Sequence, residues 1–108
     1  MRVNYSVSDS SLYVYLYGEL DECNAVKIRD TIDKIIEDYA YVKNVVFDLS
    51  KITFMDSTGI GMMIGRYKKI KAKRLNAYIQ NPSVLAERIL EISGLYRIMP
   101  KIKWGIYE

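Results

Sequence analysis

The stretches Val45-Val46-Phe47-Asp48-Leu49 and Phe54-Met55-Asp56-Ser57-Thr58-Gly59-Ile60-Gly61 together decide the fold. The first is a short, nearly continuous apolar run, which is typical of a strand that is buried on both faces of a sheet. The second places an N-cap residue type, Asp56, before a run with helical periodicity, and this predicts a helix that begins near Ser57. The apolar stripe of this helix contains Ile60, Met63, Ile64, Tyr67 and Ile70.

The segment before this stretch predicts two strands and a helix. Residues 2–7 and 11–17 are predicted strands joined by a turn at Asp9-Ser10-Ser11, since leucine or valine alternates with tyrosine along the second strand. We expect its tyrosines, at positions 13, 15 and 17, to form either a sheet surface under helices or a half-exposed face, rather than a platform for stacking bases. From Asp21, a candidate N-cap, the period becomes that of an amphipathic helix. Its apolar face contains Ala25, Ile28, Ile32, Ile35, Ile36 and Tyr39, and its polar face contains Lys27, Arg29, Asp33, Lys34 and Glu37.

The segment after this stretch predicts a strand, a helix and a final edge strand. Residues 75–79 form the strand, and Asn81-Pro82 places a capping residue before a proline at the first helical position. The helix is expected to bury Leu85, Ile89 and Ile92 and to end at Gly94. Residues 98–104 are predicted to form the edge strand, in which Pro100 removes one ladder donor. Strands that alternate with helices after an opening hairpin predict an α/β fold with a mixed sheet and helices packed mainly on one face.

Composition narrows the range of functions. The chain has 108 residues, of which 50% are hydrophobic, and this fits one domain over residues 1–108 with a single core. It contains no histidine, which argues against the usual neutral-pH general base and the commonest zinc ligand. The net charge of +3 falls short of the basic balance expected for a nucleic-acid-binding protein. With one cysteine and no apolar run near the length of about 18 residues that a membrane span needs, we expect a cytoplasmic protein without a membrane partner.

The start of the central helix is the candidate functional site, and a helix cap without any further role is the simpler interpretation of Asp56-Ser57-Thr58-Gly59 taken by itself. With Asp56 as N-cap, Ser57 lies in the first turn, where free N–H groups and the helix dipole favour an anion. A phosphoryl group on Ser57 would add a charge of about −1.5 to −2 and would alter the surface without unfolding the domain. Capping alone does not explain Gly59, Gly61 and Gly65, since each costs about 1 kcal/mol relative to alanine inside a helix. The glycines indicate close packing on the sheet or close approach of another chain.

Five segments resemble, in order and spacing, the STAS family of anti-sigma factor antagonists, and especially its sporulation members. They are Gly18-Glu19-Leu20-Asp21, residues 45–49, residues 54–61, Gly65-Arg66-Tyr67-Lys68-Lys69-Ile70-Lys71 and Ser93-Gly94-Leu95. The resemblance implies a single STAS domain that is not an enzyme and has no cofactor of its own.

The resemblance also implies a regulatory cycle. The unphosphorylated protein would bind an anti-sigma factor kinase of the GHKL type, which itself binds ATP, and would thereby release a sigma factor. The kinase would inactivate the protein by phosphorylating Ser57, and a PP2C-type phosphatase would reset it. The implied partner-binding residues are Asp21, Glu22, Asp56, Thr58, Gly59, Ile60 and Gly61.

Other interpretations remain beside this one. A STAS module that is never phosphorylated and serves as a scaffold in a stress-signalling assembly is the main alternative. The glycine spacing Gly59-x-Gly61-x-x-x-Gly65 does not match a dinucleotide-binding loop. A basic cluster could bind nucleic acid, but a solvated helix face explains it more simply. This cluster contains Arg66, Lys68, Lys69, Lys71, Lys73 and Arg74.

Overall fold

A computed structural model of the chain describes residues 1–102. It contains four strands, three α-helices and one short 3₁₀ helix. Within this part of the chain, no helix has the length and hydropathy needed to cross a membrane. The strands are β1 (Arg2–Ser8), β2 (Ser11–Leu20), β3 (Asn44–Met55) and β4 (Asn76–Gln80), and the α-helices are α1 (Ala25–Asp38), α2 (Ser57–Ala72) and α3 (Val84–Ser93).

The four strands form one mixed sheet in the order β1-β2-β3-β4. Strands β1 and β2 are an antiparallel hairpin, in which Tyr5 pairs with Val14. Strands β2, β3 and β4 are parallel, so that Val14 pairs with Phe47 and Phe47 with Ile79. Parallel neighbours need crossover connections, which α1 and α2 supply. The predicted α/β class with a mixed sheet is confirmed.

The core lies between the sheet and the helices. Leu12, Val14 and Leu16 on β2 are buried, whereas the tyrosines that alternate with them are half-buried, which is the second of the two arrangements expected for them. The whole run from Val45 to Leu49 is buried, which confirms a strand covered on both faces. Burial of each large apolar side chain stabilises the folded state by about 1.5 to 3 kcal/mol relative to an exposed side chain. The inward faces of α1 and α2 join this core through Ile28, Ile32, Ile36, Met63 and Ile70.

Helix α1 begins three residues later than predicted, and Asp21 is not its N-cap. The N-cap position belongs to Asn24, whose side chain makes no capping bond. The carboxylate of Asp21 instead accepts the backbone N–H groups of Cys23 and Asn24, at 3.1 and 3.0 Å. Asp21 therefore stabilises a separate turn between β2 and α1, because its side chain satisfies local donors before the helix starts.

The prediction for α3 was wrong at its start and on its buried face. Ser83, rather than Asn81, is the N-cap, since its hydroxyl accepts the N–H of Ala86 at 3.2 Å. The residues buried on α3 are Ala86 and Leu90. Leu85 and Ile92, which were expected inside, are 40% and 79% exposed, and Ile89 is half-buried. The helix ends at Gly94 in the left-handed conformation (φ 76°), as predicted.

The prediction of an edge strand over residues 98–104 is only partly tested. Residues 95–97 form a 3₁₀ helix, and Lys101 then forms an isolated parallel bridge with Ile79 of β4. The N–H of Ile102 donates to the carbonyl of Ile79 at 2.7 Å. The chain thus returns to the β4 edge, while Lys103 and Trp104 lie outside the described residues.

Candidate functional site

Helix α2 begins where β2 and β3 end side by side. The last pair of the β2–β3 ladder is Leu20 with Met55, and Asp56 follows at once. The N–H of Asp56 points to the carbonyl of Leu20, with a nitrogen–oxygen distance of 3.4 Å. The start of α2 is therefore held against the end of β2 and close to the turn that follows it.

Asp56 is the N-cap of α2, as the sequence predicted. Its backbone is extended, and its carboxylate accepts the N–H of Gly59 at 2.9 Å. Ser57 and Thr58 occupy the first turn, and both are exposed. The hydroxyl of Ser57 is thus presented at the positive end of a sixteen-residue helix.

Removing the Asp56 cap should destabilise the domain modestly. We expect Asp56→Ala to lower the free energy of unfolding by about 1 kcal/mol, because the N–H of Gly59 loses its acceptor. Urea denaturation followed by circular dichroism measures this change. Asp56→Asn is the matched control, since an asparagine also caps well and should retain most of the stability. Equal losses in the two variants would show that the charge of Asp56, and not its cap, stabilises the fold.

The three glycines of α2 have different surroundings. A Cβ on Gly59 would overlap the carbonyl oxygen of Leu20 and would lie 3.0 Å from its Cγ. A Cβ on Gly61 or on Gly65 would meet nothing within 4 Å. Close packing on the sheet therefore explains Gly59 alone, and the other two glycines leave open space on the surface of α2.

Two grooves flank the start of α2. The groove between α2 and α3 has a volume of about 250 Å³, and Ser57 lies on its rim. Its walls are mainly the apolar residues Met55, Ile60, Ile89 and Ile92. The groove between α1 and α2 has a volume of about 370 Å³ and is lined by Ala25, Val26, Arg29, Thr58, Gly61, Met62, Gly65 and Arg66.

The structure brings the sequence-predicted site residues to one end of the sheet. Asp56, Thr58, Gly59, Ile60 and Gly61 are all in the cap and first turns of α2. Asp21 and Glu22 lie in the turn directly after Leu20, which Gly59 contacts. Asp21 is half-buried and engaged in its turn, whereas Glu22 is exposed.

Sequence reasoning missed Arg66, which it had assigned to the solvated basic cluster. The side chain of Arg66 is only 9% exposed, and its Nε lies 2.9 Å from Oδ1 of Asp33 on α1. Burial lowers the pKa of Arg66 from its ordinary value, and the charge of Asp33 opposes that shift. A signal was available in the sequence, because position 66 falls between Met62 and Ile70 at four-residue spacing on the buried face.

The rest of the basic cluster behaves as a helix surface. Lys69 lies 3.1 Å from Glu37 and 3.6 Å from Asp33, and its hydrogen bond to Glu37 raises its pKa. Lys68, Lys71, Lys73 and Arg74 are exposed. Over residues 1–102, no group of three potential metal ligands comes together.

Comparisons with known proteins agree with this architecture. A family model described as the STAS domain matches residues 2–107. The anti-sigma F factor antagonist of Paenibacillus polymyxa is 36% identical over 89 residues, which is 82% of this chain and 75% of that protein. The anti-sigma-B factor antagonist of Bacillus subtilis is 29% identical over 101 residues, which is 92% of this chain and 90% of that protein.

Solved structures of SpoIIAA superpose on the chain. The unphosphorylated anti-sigma factor antagonist SpoIIAA gives a TM-score of 0.75 at 25% identity, and covers 95% of this chain and 90% of its own. The phosphorylated form of Bacillus SpoIIAA gives a TM-score of 0.67 at 26% identity, over 95% of this chain and 93% of its own. A protein of this fold has therefore been described in both phosphorylation states.

Proposed function

Because this chain belongs to the STAS domain family, we propose that it is an anti-sigma factor antagonist that is switched off by phosphorylation of Ser57. In its unphosphorylated form it binds an anti-sigma factor kinase of the GHKL type, and the bound kinase releases its sigma factor. The curated relatives support the antagonist role through their names, since they are antagonists of anti-sigma F and anti-sigma B factors. The protein acts in the cytoplasm as a binding partner and not as an enzyme.

The single observation that carries the proposal is the position of Ser57. It is exposed in the first turn of α2, directly after the capping Asp56, with free N–H groups of the helix start around it. A phosphoryl group there gains roughly 0.3 to 1 kcal/mol from the helix dipole, so phosphorylation is compatible with the fold. The likeness to SpoIIAA, which has been solved in its phosphorylated form, supports the same assignment.

Phosphorylation would act on the surface around Ser57. The added charge of about −1.5 to −2 would lie beside the carboxylate of Asp56 and on the rim of the apolar α2–α3 groove. Placing such a charge against an apolar or acidic partner surface costs desolvation and repulsion. The complex with the kinase would therefore dissociate without any rearrangement of the core.

The partner surface we propose extends from the start of α2 to the β2–α1 turn. It contains Asp21, Glu22, Asp56, Thr58, Gly59, Ile60 and Gly61, together with Ile89 and Ile92 across the α2–α3 groove. The protein holds no cofactor in this proposal, because the kinase binds the ATP. A PP2C-type phosphatase removes the phosphoryl group and restores the binding form.

The experiment is the intact mass of the protein after incubation with ATP and the GHKL anti-sigma factor kinase of the same organism. We expect the addition of one phosphate to the wild-type chain and no addition to Ser57→Ala. The hydroxyl of Thr58 is also exposed in the first turn, so Thr58→Ala is the matched control and should still gain one phosphate.

Two results would contradict this proposal in different ways. If Ser57→Ala still gains a phosphate and Thr58→Ala does not, the phosphorylated residue is Thr58 and not Ser57. A wild-type chain that binds the kinase but gains no phosphate, while the kinase phosphorylates another substrate, would favour the non-phosphorylated scaffold module.

A further inference from the structure

The groove between α1 and α2 is not explained by the packing of the chain itself. Gly61 and Gly65 lie on its α2 wall, and a Cβ at either position would enter open space. Both are inside a helix, where glycine is less favourable than alanine. The two glycines therefore lower the stability of the helix, although no contact within the described residues requires a glycine at either position.

Arg66 brings a positively charged guanidinium group to the lining of this groove. Its side chain lines the groove and is more than nine-tenths buried, and its Nη1 has no hydrogen-bond acceptor among residues 1–102. The ion pair with Asp33 brings Nε to 2.9 Å from the carboxylate, but without the alignment of a hydrogen bond. Oδ1 of Asp33 is likewise without a hydrogen bond, so the pair is held by charge and Arg66 keeps donor capacity that the described residues do not use. An acceptor that reached the guanidinium group from the groove would satisfy part of that capacity.

The other polar residues that line the groove are also donors. Arg29 lies on the α1 wall and Thr58 on the α2 wall, and no acidic side chain lines the groove. Two carboxylates pair with these arginines without lining the groove, since the exposed Asp30 lies 3.1 Å from Arg29 and Asp33 lies 2.9 Å from Arg66. The open side of the groove therefore offers two guanidinium groups and a hydroxyl to an incoming acceptor.

The groove also begins beside the proposed phosphorylation site. It follows α2 from Thr58, the residue after Ser57, to Arg66, a distance of about 12 Å at the helical rise of 1.5 Å per residue. A kinase with its active site at Ser57 must cover the surface next to this serine. The groove is thus continuous with the surface that the kinase approaches.

We propose that the α1–α2 groove receives an acidic side chain of the anti-sigma factor kinase, which binds between Arg29 and Arg66 above the open surface of Gly61 and Gly65. This inference rests on the proposed function, because it takes the kinase as the partner. Guanidinium groups bind carboxylates in a bidentate geometry, which fixes the orientation of the partner as well as its affinity. Because Gly61 and Gly65 carry no side chains, the partner side chain can come close to the backbone of α2.

The experiment measures the dissociation constant of the complex between the full-length chain and the GHKL anti-sigma factor kinase by calorimetry. Gly65→Leu fills the groove and should raise the dissociation constant at least about tenfold, because the partner side chain is excluded. Its melting temperature should equal or exceed that of the wild type, since leucine is a better helix former than glycine. Ala72→Leu, which adds a leucine to the exposed last turn of α2, is the matched control and should bind as the wild type does.

A charge variant separates an acidic occupant from an apolar one. Arg29→Gln should weaken binding about fivefold and should reduce the salt dependence of the affinity, whereas Arg29→Lys should restore part of both. An effect of Gly65→Leu without any effect of Arg29→Gln would overturn the assignment of an acidic side chain. Wild-type affinity in both variants would overturn this inference and leave the proposed function intact, whereas the absence of any wild-type complex would overturn both.

Discussion

Gly59→Ala is expected to lower the free energy of unfolding by about 3 kcal/mol, because the new methyl group overlaps the carbonyl oxygen of Leu20. The obstacle is backbone at the end of β2 and cannot rotate away as a side chain would. Relief requires α2 to move away from the sheet, which would also displace Ser57 from the end of β2. Urea denaturation of the two proteins measures the difference directly.

Gly61→Ala is the matched control for this change, since it lies in the same helix and has open space around its Cβ. Alanine should stabilise the chain there by about 0.5 to 1 kcal/mol, through the backbone entropy that glycine loses on folding. The two substitutions are thus expected to have opposite signs. A gain in stability for Gly59→Ala would show that the start of α2 does not rest on the carbonyl of Leu20.

The parts of the fold that the sequence predicted depend on local chemistry. The buried run from Val45 to Leu49, the Asp56 cap and the Gly94 terminus each follow from a few adjacent residues. The alternation along β2 also predicted the correct face, because a period of two leaves only one apolar side. Such features can be predicted without knowing which helices and strands lie next to each other in the fold.

The face of α3 could not be chosen in the same way. Its ten residues contain two apolar stripes, one with Ala86 and Leu90 and the other with Leu85, Ile89 and Ile92. The sequence analysis expected the second stripe to be buried. The structure buries the first, since α3 packs on the extended end of β3, where Ser83 donates its hydroxyl to the carbonyl of Ile52 at 2.8 Å.

The candidate site shows the same division between local and distant causes. The order and helical position of Asp56 and Ser57 predicted a capped helix start, and the resemblance to the STAS family pointed to Ser57 as the phosphorylated residue. The reason for Gly59 is the carbonyl of Leu20, and the partner of Arg66 is Asp33 on another helix. Contacts between residues so far apart in the chain have no local pattern. The sequence therefore showed that the glycines of α2 are unusual, but it could not show which of them contacts another element.

The largest effect on binding is expected for Ser57→Asp. We predict that this variant binds the anti-sigma factor kinase at least about tenfold more weakly than the wild type, whereas Ser57→Ala binds at least as tightly and cannot be released by ATP. Aspartate brings one negative charge to the rim of the α2–α3 groove and to the side of Asp56, so it imitates part of the charge of a phosphoserine. Calorimetry at two salt concentrations measures the affinities and the electrostatic share of the loss.

Ser8→Asp is the control for added charge, because Ser8 is exposed at the hairpin end of the sheet and should tolerate aspartate without a change in affinity. If charge repulsion causes release, the loss in Ser57→Asp should shrink at high salt, since repulsion between exposed groups is screened over about 8 Å at physiological ionic strength. A loss that is independent of salt would assign release to the bulk of the group in the groove. Wild-type affinity of Ser57→Asp at both salt concentrations would contradict a switch based on one charge, and release would then require the full phosphoryl group or a change of nucleotide in the kinase.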